Sequence, residues 1–304
     1  MKEKELINII KSTLNSSFIG DDCAYLKDLG IVITQDSLVE DIHFKTDYTT
    51  PFKLGWKAAA VNISDICASG AEPKYLTIAL SLPKEISCGF VEEFYKGVKA
   101  VSKDVQVVGG DITGSDKIFI SVTAIGRCGD LRISSRSNAR PGQKIIVSGE
   151  HGSSGAGLRL LMNGQSKPQK FLDAHLLPVP QFEFSKQISE NIKEDYAMMD
   201  TSDGLMDALS QVAGASNVNL FIDFDKIPFD KDLKMFKDYR DLIFFGGEDY
   251  QLIATVPDEI AKNFTIIGEV RPGFGVTVKF ENEEKLFSQE EVEEKLFNHF
   301  KNEL

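Results

Sequence analysis

The chain has 304 residues, 42% hydrophobic and 26% charged, which is enough to bury one large core or two moderate ones. Its 46 Asp and Glu residues outnumber 34 Lys and Arg residues, and the resulting charge of -12 would repel a nucleic-acid backbone or an anionic membrane. Nucleic acid and membrane are therefore poor partners, whereas a polyphosphate could bind if metal ions stood between it and the carboxylates.

Residues 1–5 lack the apolar segment of a signal peptide, and no apolar run approaches the roughly 18 residues that a membrane span needs. We therefore expect a cytoplasmic protein. The cysteines are far apart and form no CxxC pair, which favours reduced structural thiols over a zinc site or a disulfide. They are Cys23, Cys67, Cys88 and Cys128.

Helices and strands alternate in the first half of the chain, as expected for an α/β domain. The predicted helices cover residues 1–15, 53–70 and 89–102, and the predicted strands cover residues 31–36, 75–82, 118–126 and 105–108, the last ending at Gly109-Gly110-Asp111. On their strand, Thr34 and Asp36 lie on the same face. On their helix, Asn62 and Asp65 lie on the same side because they are three residues apart.

A second α/β series begins after the polar segment 134–142, where Pro141-Gly142 interrupts regular structure. We expect two domains, residues 1–137 and residues 138–304, in a mixed α/β (α+β) fold. Strands are predicted at residues 144–148, 220–224 and 252–256, and helices at residues 158–162, after residues 200–204 and at the C-terminus. The C-terminal helix begins with a capping box of Ser288 and Glu291. Its apolar side is Val292, Leu296 and Phe300.

The glycine-rich segment 149–157 joins a predicted strand to a predicted helix. Its backbone N–H groups could cradle a phosphate, because the N-terminus of a helix attracts anions. Its glycines could instead serve only to let the following helix pack closely. The sequence leaves both interpretations open.

Acidic residues stand in short clusters with Gly, Ser or Thr, most of them after a predicted strand or at the start of a predicted helix. They are Asp21-Asp22, Asp36, Asp65, Asp111, Asp200 with Asp203, and Glu248-Asp249. Any single one is explained as a cap or turn residue. Six clusters together indicate a site for Mg²⁺, which takes one or two protein carboxylates and completes its octahedron with water and substrate phosphate.

The sequence lacks the signatures of other metal and phosphate sites. It contains no EF-hand loop, no GxxxxGK[ST], no H-R-D with D-F-G, and no GxSxG. Its histidines are scattered, which argues against a zinc site. They are His43, His151, His175 and His299.

The motifs together resemble those of the thiamine-monophosphate kinase family, in order along nearly the whole chain. The matching pieces are Gly20-Asp21-Asp22-Cys23-Ala24, Thr34-Gln35-Asp36 through His43-Phe44, Ala60-Val61-Asn62-Ile63-Ser64-Asp65, Gly109-Gly110-Asp111, Arg136 before Pro141-Gly142, Asp200-Thr201-Ser202-Asp203-Gly204-Leu205, and Gly246-Gly247-Glu248-Asp249-Tyr250. This family shares a superfamily with aminoimidazole ribonucleotide synthetase, selenophosphate synthetase and a hydrogenase maturation factor, all ATP-dependent. The resemblance implies that superfamily's two-domain fold, with the ATP site in the N-terminal domain and completed by the C-terminal domain.

The resemblance also implies several Mg²⁺ ions between ATP and the protein. Their implied ligands are Asp22, Thr34, Gln35, Asp36, Asp65, Asp111, Asp200 and Asp203. The family usually has Ser or Thr at the position of Gln35, so coordination there by side chain or by backbone stays open. Implied nucleotide contacts are Tyr95, Gly110, Asp111, Arg136 and Ser202. Arg136 could alternatively belong to a solvated linker face.

His43, Glu248 and Phe297 match the family positions that hold thiamine phosphate. An imidazole can reach a phosphate, an acid can face the cationic thiazolium, and an aromatic ring suits a flat cationic heterocycle. Structural interpretations stay open: a turn histidine for His43, a cap for Glu248, and the core of the last helix for Phe297.

The implied reaction is Mg-dependent phosphorylation of thiamine monophosphate by ATP, giving thiamine diphosphate and ADP by direct in-line transfer. The attacking phosphate oxygen is already anionic, so no general base is required. The family also implies a homodimer paired through the N-terminal sheets, with the ATP site near the domain and subunit junction. Two alternatives stay open: another ATP-dependent synthetase of the superfamily, and a non-catalytic nucleotide- or metal-binding relative.

Overall fold

A computed structural model describes residues 3–281 and 283–297 of the chain. Within them the helices α1 to α10 are Glu3–Leu14, Pro51–Ser69, Cys88–Ser102, Ser153–Met162, Gln169–Leu176, Phe182–Asn191, Leu205–Ser216, Tyr239–Phe245, Asp258–Ala261 and Gln289–Glu293. The strands β1 to β12 are Ala24–Leu26, Ile31–Val39, Glu72–Leu82, Gln106–Gly114, Phe119–Arg127, Lys144–Val147, Ala197–Asp200, Asn219–Asp223, Leu252–Val256, Thr265–Arg271, Val276–Phe280 and Glu283–Phe287. The fold is mixed α/β with two domains, each built on its own sheet.

The N-terminal sheet has the strand order β1-β2-β5-β3-β4, in which β3 and β4 are parallel and the other pairs antiparallel. One face is apolar and packs against α2 and α3, with Ile120 and Val122 of β5 fully buried. The other face is polar and partly exposed, with Ser121 and Thr123 between those two residues. This alternation is typical of a sheet that is covered on one side.

The C-terminal sheet has the strand order β12-β11-β8-β10-β6-β9-β7, in which β8 and β11 are parallel and the other pairs antiparallel. Its central strands are buried on both faces. In β6, Ile146 packs in the core shared with the N-terminal domain, while Ile145 and Val147 pack in a second core. Both faces being covered explains why β6 and β9 read as continuous apolar runs.

Helix α2 lies between the two domains. Ala58, Ala59 and Ala60 are consecutive and all buried, because the helix has protein on nearly every side. Its small residues allow close packing against α3: a Cβ atom added at Gly55 would lie 1.9 Å from the backbone oxygen of Phe94. Helix α2 therefore carries side chains into the junction of the two domains.

Each predicted helix and strand has a counterpart in the structure, in the predicted order, but the described residues contain four further helices and five further strands, and two predicted elements differ clearly in extent. Strand β4 does not end at Gly109-Gly110-Asp111 but continues to Gly114, because its backbone pairs with β3 along the whole segment. The capping box of Ser288 is present, but α10 ends at Glu293. Phe300, predicted on its apolar side, lies outside the described residues.

Two other expectations concern cysteines and membranes. All four cysteines are free thiols, and three of them are buried. Among the residues that the structure describes, no helix is long and apolar enough to cross a membrane.

Candidate active site

Three carboxylates from distant parts of the sequence meet at the domain junction. Asp22 precedes β1, Asp65 lies on α2, and Asp200 ends β7. Each offers one oxygen, and these oxygens all lie within 4.8 Å of one another. We call these three residues the acidic cluster.

Neighbouring hydroxyls and amides orient the acidic cluster. The Thr34 hydroxyl donates a hydrogen bond to Asp65 Oδ2 at 2.7 Å, and the Ser64 hydroxyl donates to Asp200 Oδ2 at 2.6 Å. Asn62 Oδ1 accepts from the backbone N–H of Asp36 at 2.9 Å. The prediction that Thr34 and Asp36 share a face of β2, and that Asn62 and Asp65 share a side of α2, is therefore confirmed. These two surfaces face each other.

The acidic cluster repels itself electrostatically. Burial raises the pKa of Asp65 well above its ordinary value, and the negative charge of Asp36 raises it further. Burial raises the pKa of Asp200 to about 8, with a further contribution from the charge of Asp22. Oδ1 of Asp200 is buried and has no hydrogen-bond partner among the described residues. Burial and mutual repulsion disfavour the ionised form of these carboxylates, and a bound cation would stabilise it.

The residues of the acidic cluster fit Mg²⁺ by their chemistry. All three donors are carboxylate oxygens, the ligands that this hard cation prefers. The unpartnered Oδ1 of Asp200 is an acceptor that a cation would satisfy. Asp36 approaches the cluster closely enough for its charge to act on Asp65 and on Asp200.

Arg136 stands beside the acidic cluster. Its Nη2 donates to Asp22 Oδ1 at 2.8 Å, and its Nη1 donates to Gln211 Oε1 at 2.5 Å. The backbone N–H of Arg136 also donates to Asp21 Oδ1 at 2.7 Å. The guanidinium is largely buried, so Arg136 is not part of a solvated linker face.

The carboxylate of Glu248 lies outside the acidic cluster and has a different electrostatic environment. Its Oε1 is 2.7 Å from Nζ of Lys57, and its Oε2 is 3.3 Å from Nδ1 of His175. Burial opposes the ionised form, but the charges and the hydrogen bond around Glu248, of which the charge of Lys57 acts most strongly, together outweigh burial and hold the pKa of Glu248 below its ordinary value. We call Glu248, Lys57 and His175 the Glu248 cluster.

The backbone at Glu248 adopts a conformation that non-glycine residues rarely use, with φ at +65°. Three hydrogen bonds hold the backbone segment around Glu248 in place. The backbone N–H of Glu248 donates to the carbonyl of Ser202 at 2.6 Å. The carboxylate of Asp249 accepts from the backbone N–H groups of Gly152 at 2.5 Å and Ser154 at 2.8 Å. Strain of this kind is concentrated at functional sites.

The Asp249 contacts also decide between the two interpretations of the glycine-rich segment 149–157. A protein carboxylate, not a ligand phosphate, occupies the N-terminus of α4. The glycines permit close packing: a Cβ atom added at Gly157 would lie 1.9 Å from the backbone oxygen of Phe171. The packing interpretation is therefore supported.

His43 lies near the Glu248 cluster, and its charge would help to keep Glu248 ionised. Nδ1 of His43 accepts a hydrogen bond from the backbone N–H of Val39 at 3.0 Å, which orients the ring. Two of the three residues predicted to bind thiamine phosphate are thus brought together. The third, Phe297, is 54% exposed at the end of the described chain.

The acidic cluster is distant from three predicted site residues of the same chain, namely the side chain of Gln35, Gly110 and Asp111. The Gln35 side chain bonds Ser121 and Thr123 on the polar face of the N-terminal sheet, so only its backbone can approach Asp65. Across the sheet, Asp111 of β4 pairs with Ala79 of β3, which pairs with Ser121 of β5, which in turn pairs with Ser37 of β2. Three strand spacings separate Asp111 from β2, which is about 14 Å.

The remaining predicted residues lie on other elements around the junction. Ser202 and Asp203 follow β7, and Ser202 is in direct backbone contact with Glu248. Tyr95 lies on α3, half-buried, with its ring at 84° to that of Phe94.

Lys57, His175 and Gln211 are site residues that the sequence did not predict. Lys57 had a recognisable signal, because a lysine next to three alanines in a helix that is expected to be buried must find a buried partner. His175 and Gln211 had no such signal, since their partners lie 73 and 75 residues away along the chain.

Both domains match known family models. Residues 20–128 match the AIR synthase related protein, N-terminal domain, and residues 140–281 match the AIR synthase related protein, C-terminal domain.

Several thiamine-monophosphate kinases are similar to the chain over most of its length. That of Aquifex aeolicus (strain VF5) is 39% identical over 289 residues, covering 90% of this chain and 92% of the relative. That of Bacillus subtilis (strain 168) is 36% identical over 255 residues, covering 79% and 78%. The solved structure of AaThiL complexed with AMPPCP and TMP has a TM-score of 0.84 at 37% identity, covering 93% of this chain and 96% of that one. The chain belongs to the thiamine-monophosphate kinase family.

Proposed function

We propose that the chain transfers the γ-phosphoryl group of ATP directly to thiamine monophosphate, giving thiamine diphosphate and ADP. Family membership and the acidic cluster support this proposal. The observation that carries it is the meeting of Asp22, Asp65 and Asp200, with oxygens within 4.8 Å, in a junction that also holds Arg136.

Asp22, Asp65 and Asp200 would hold Mg²⁺ in this proposal, with Asp36 and Asp203 as further ligands. Bound Mg²⁺ would neutralise the phosphate charge that the acidic protein itself would repel. The hydroxyls of Thr34 and Ser64 fix the directions of two of these carboxylates. Arg136, held by Gln211, would contact a phosphate group of the nucleotide.

The substrate side of the proposal uses His43, Glu248 and Phe297. His43 and Glu248 lie together near the junction, and Glu248 contacts the backbone of the loop that carries Ser202 and Asp203. This loop therefore links the proposed thiamine phosphate site to the proposed ATP site. The substrate phosphate is its own anionic nucleophile, so the residues need only position it in line.

We further propose a cytoplasmic homodimer, with residues 1–137 as the dimerising and ATP-binding domain and residues 138–304 completing the site. Strand β4 supports the dimer, because it is an edge strand with Val107, Val108 and Ile112 exposed. Free buried thiols agree with a reducing compartment. In this dimer, Gly110 and Asp111, with Tyr95 near the base, would serve the nucleotide site of the second copy.

Mixing two inactive variants tests the shared site. If each site takes Asp65 from one copy and Asp111 from the other, exchange of subunits between Asp65→Asn and Asp111→Asn dimers produces one intact site per heterodimer. Random exchange then restores about a quarter of wild-type turnover. If both residues serve the site of their own chain, mixing restores nothing. Sedimentation of each variant alone checks that both still form dimers.

A steady-state assay tests the reaction itself. Purified protein with Mg-ATP and thiamine monophosphate should release ADP and thiamine diphosphate in equal amounts, and little product should form from thiamine or from aminoimidazole precursors. ATP turnover with an aminoimidazole precursor but not with thiamine monophosphate would contradict the proposal in favour of another synthetase. Nucleotide binding without any turnover would indicate a non-catalytic relative.

A further inference from the structure

Lys57 is a charged side chain on a mostly buried helix of the domain junction. It is 3% exposed, and it lies on α2 directly before Ala58, Ala59 and Ala60. A buried ammonium group is costly unless it is paired and hydrogen-bonded. Its partner is Glu248, with Nζ and Oε1 2.7 Å apart.

This ion pair joins the two domains. Lys57 belongs to the N-terminal domain, whereas Glu248 belongs to the C-terminal loop between α8 and β9. Trp56, the neighbouring residue, also crosses the junction by donating from Nε1 to the carbonyl of Pro178 at 2.7 Å. The position of Lys57 is therefore fixed by packing on both sides.

The second oxygen of Glu248 is held as well. Nδ1 of His175 lies 3.3 Å from Oε2 of Glu248 and 3.1 Å from the hydroxyl of Ser154. His175 is buried, and burial lowers its pKa to about 3, so it contributes a neutral ring. The formal charge on the Glu248 carboxylate is thus balanced by Lys57 and not by His175.

Glu248 is nevertheless open to a ligand. Its side chain is 23% exposed, whereas that of Lys57 is 4% exposed. A ligand at the junction would therefore meet the carboxylate and not the ammonium group behind it.

We infer that Lys57 is a positioning residue for thiamine phosphate, which holds the Glu248 carboxylate ionised and in one orientation for the substrate. The inference rests on the proposed function, because it takes Glu248 as a substrate contact. It adds a residue of α2 to the substrate side of the site, and it makes substrate affinity depend on the contact between the two domains. A carboxylate fixed before binding loses little conformational freedom when substrate arrives.

Five variants test this inference: Lys57→Met, Lys57→Arg, Glu248→Gln, the double variant Lys57→Met/Glu248→Gln, and the control Lys53→Met. Lys53 is a matched control because it lies one turn earlier on α2 and also pairs across the domains, with Asp173 at 3.4 Å. For each protein, KM for both substrates and kcat are measured, together with the dissociation constant of thiamine monophosphate by calorimetry in the presence of a non-hydrolysable ATP analogue. Thermal unfolding identifies variants that do not fold.

Lys57→Met should raise KM and the dissociation constant for thiamine monophosphate on the order of tenfold or more, with KM for ATP nearly unchanged. Lys57→Arg should recover part of this loss, since it restores the charge. In the Glu248→Gln background, Lys57→Met should have little further effect, because its action passes through Glu248. Lys53→Met should behave like wild type.

Three results would overturn the inference. One is unchanged thiamine monophosphate affinity in a folded Lys57→Met protein, or a folded Lys57→Arg protein that recovers none of the affinity lost in Lys57→Met. Another is an equal loss of both substrates' affinities, which indicates a general structural role. The third is full additivity with Glu248→Gln, which indicates that Lys57 acts independently. If the wild-type protein itself forms no thiamine diphosphate and does not bind thiamine monophosphate, the proposed function fails and this inference fails with it.

Discussion

The acidic cluster and the Glu248 cluster place carboxylates in the same domain junction with opposite electrostatics. In the acidic cluster, burial and mutual repulsion raise the pKa values of Asp65 and Asp200. In the Glu248 cluster, burial opposes ionisation, but the surrounding charges and hydrogen bond, with the charge of Lys57 the strongest of them, together lower the pKa of Glu248. The first group gains stability from an added cation, whereas the second already contains one. Carboxylates that look alike in sequence are thus suited to different ligands.

Loss of a carboxylate from the acidic cluster should have the largest effect. Asp65→Asn or Asp200→Asn should reduce phosphoryl transfer by about 1,000-fold or more, because each removes a proposed metal ligand. In the absence of metal, the Tm of these variants should rise or stay unchanged, because the substitution removes a buried charge that repels its neighbours. Steady-state turnover and thermal unfolding measure the two effects. Asp173→Asn is the exposed control, and a comparable loss of turnover there would contradict the assignment.

The same kind of substitution in the Glu248 cluster should affect stability in the opposite direction. Glu248→Gln leaves Lys57 buried without its counter-charge, which should cost about 3 kcal/mol of unfolding free energy. It should also lower kcat/KM for thiamine monophosphate by about 100-fold, with KM for ATP nearly unchanged. Chemical denaturation and two-substrate kinetics check this. Stabilisation by Glu248→Gln would show that the two clusters do not differ as described.

The response to pH and Mg²⁺ should follow the acidic cluster. The Asp200 carboxyl has a pKa of about 8 in the metal-free fold, against an ordinary value near 4, so it stabilises the folded state less as the pH rises between these values. In the proposed function, Mg²⁺ would bind the ionised form of this carboxyl. Added Mg²⁺ should therefore raise Tm by several degrees more at pH 8.5 than at pH 6.0. Asp200→Asn should remove most of this difference, and a larger Mg²⁺ effect at pH 6.0 would contradict the sign.

Phe297 should give the smallest effect. Because its side chain is 54% exposed, Phe297→Ala should change the unfolding free energy by no more than about 0.5 kcal/mol. If Phe297 stacks on the substrate, KM for thiamine monophosphate should rise about threefold to tenfold. Kinetics and denaturation measure both quantities. A large loss of stability with unchanged kinetics would instead support a role in the core.

Local spacing was sufficient to predict part of the site. Alternation along β2 places Thr34 and Asp36 on one face, and a spacing of three places Asn62 and Asp65 on one side of α2. The structure joins these pairs by hydrogen bonds from Thr34 to Asp65 and from the Asp36 backbone to Asn62. Short-range periodicity is enough here because each pair lies within one regular element.

Contacts between segments that are distant in the sequence could not be predicted from local sequence patterns. Asp249 caps α4 from 95 to 97 residues away, so the glycine-rich segment could not be interpreted from its own residues. Strand β4 continues through Gly109-Gly110-Asp111 because β3 supplies its hydrogen-bond partners, which local propensity does not reveal. The Lys57–Glu248 pair depends on how two domains pack, and this is a tertiary property.

The most direct test of the electrostatic contrast is calorimetric titration of Mn²⁺, as a substitute for Mg²⁺, in the presence of a non-hydrolysable ATP analogue. Wild type and Glu248→Gln should bind the metal with nearly equal affinity, whereas Asp65→Asn should lose about tenfold or more. Metal affinity that is unchanged in Asp65→Asn, or that falls equally in Glu248→Gln, would contradict the account.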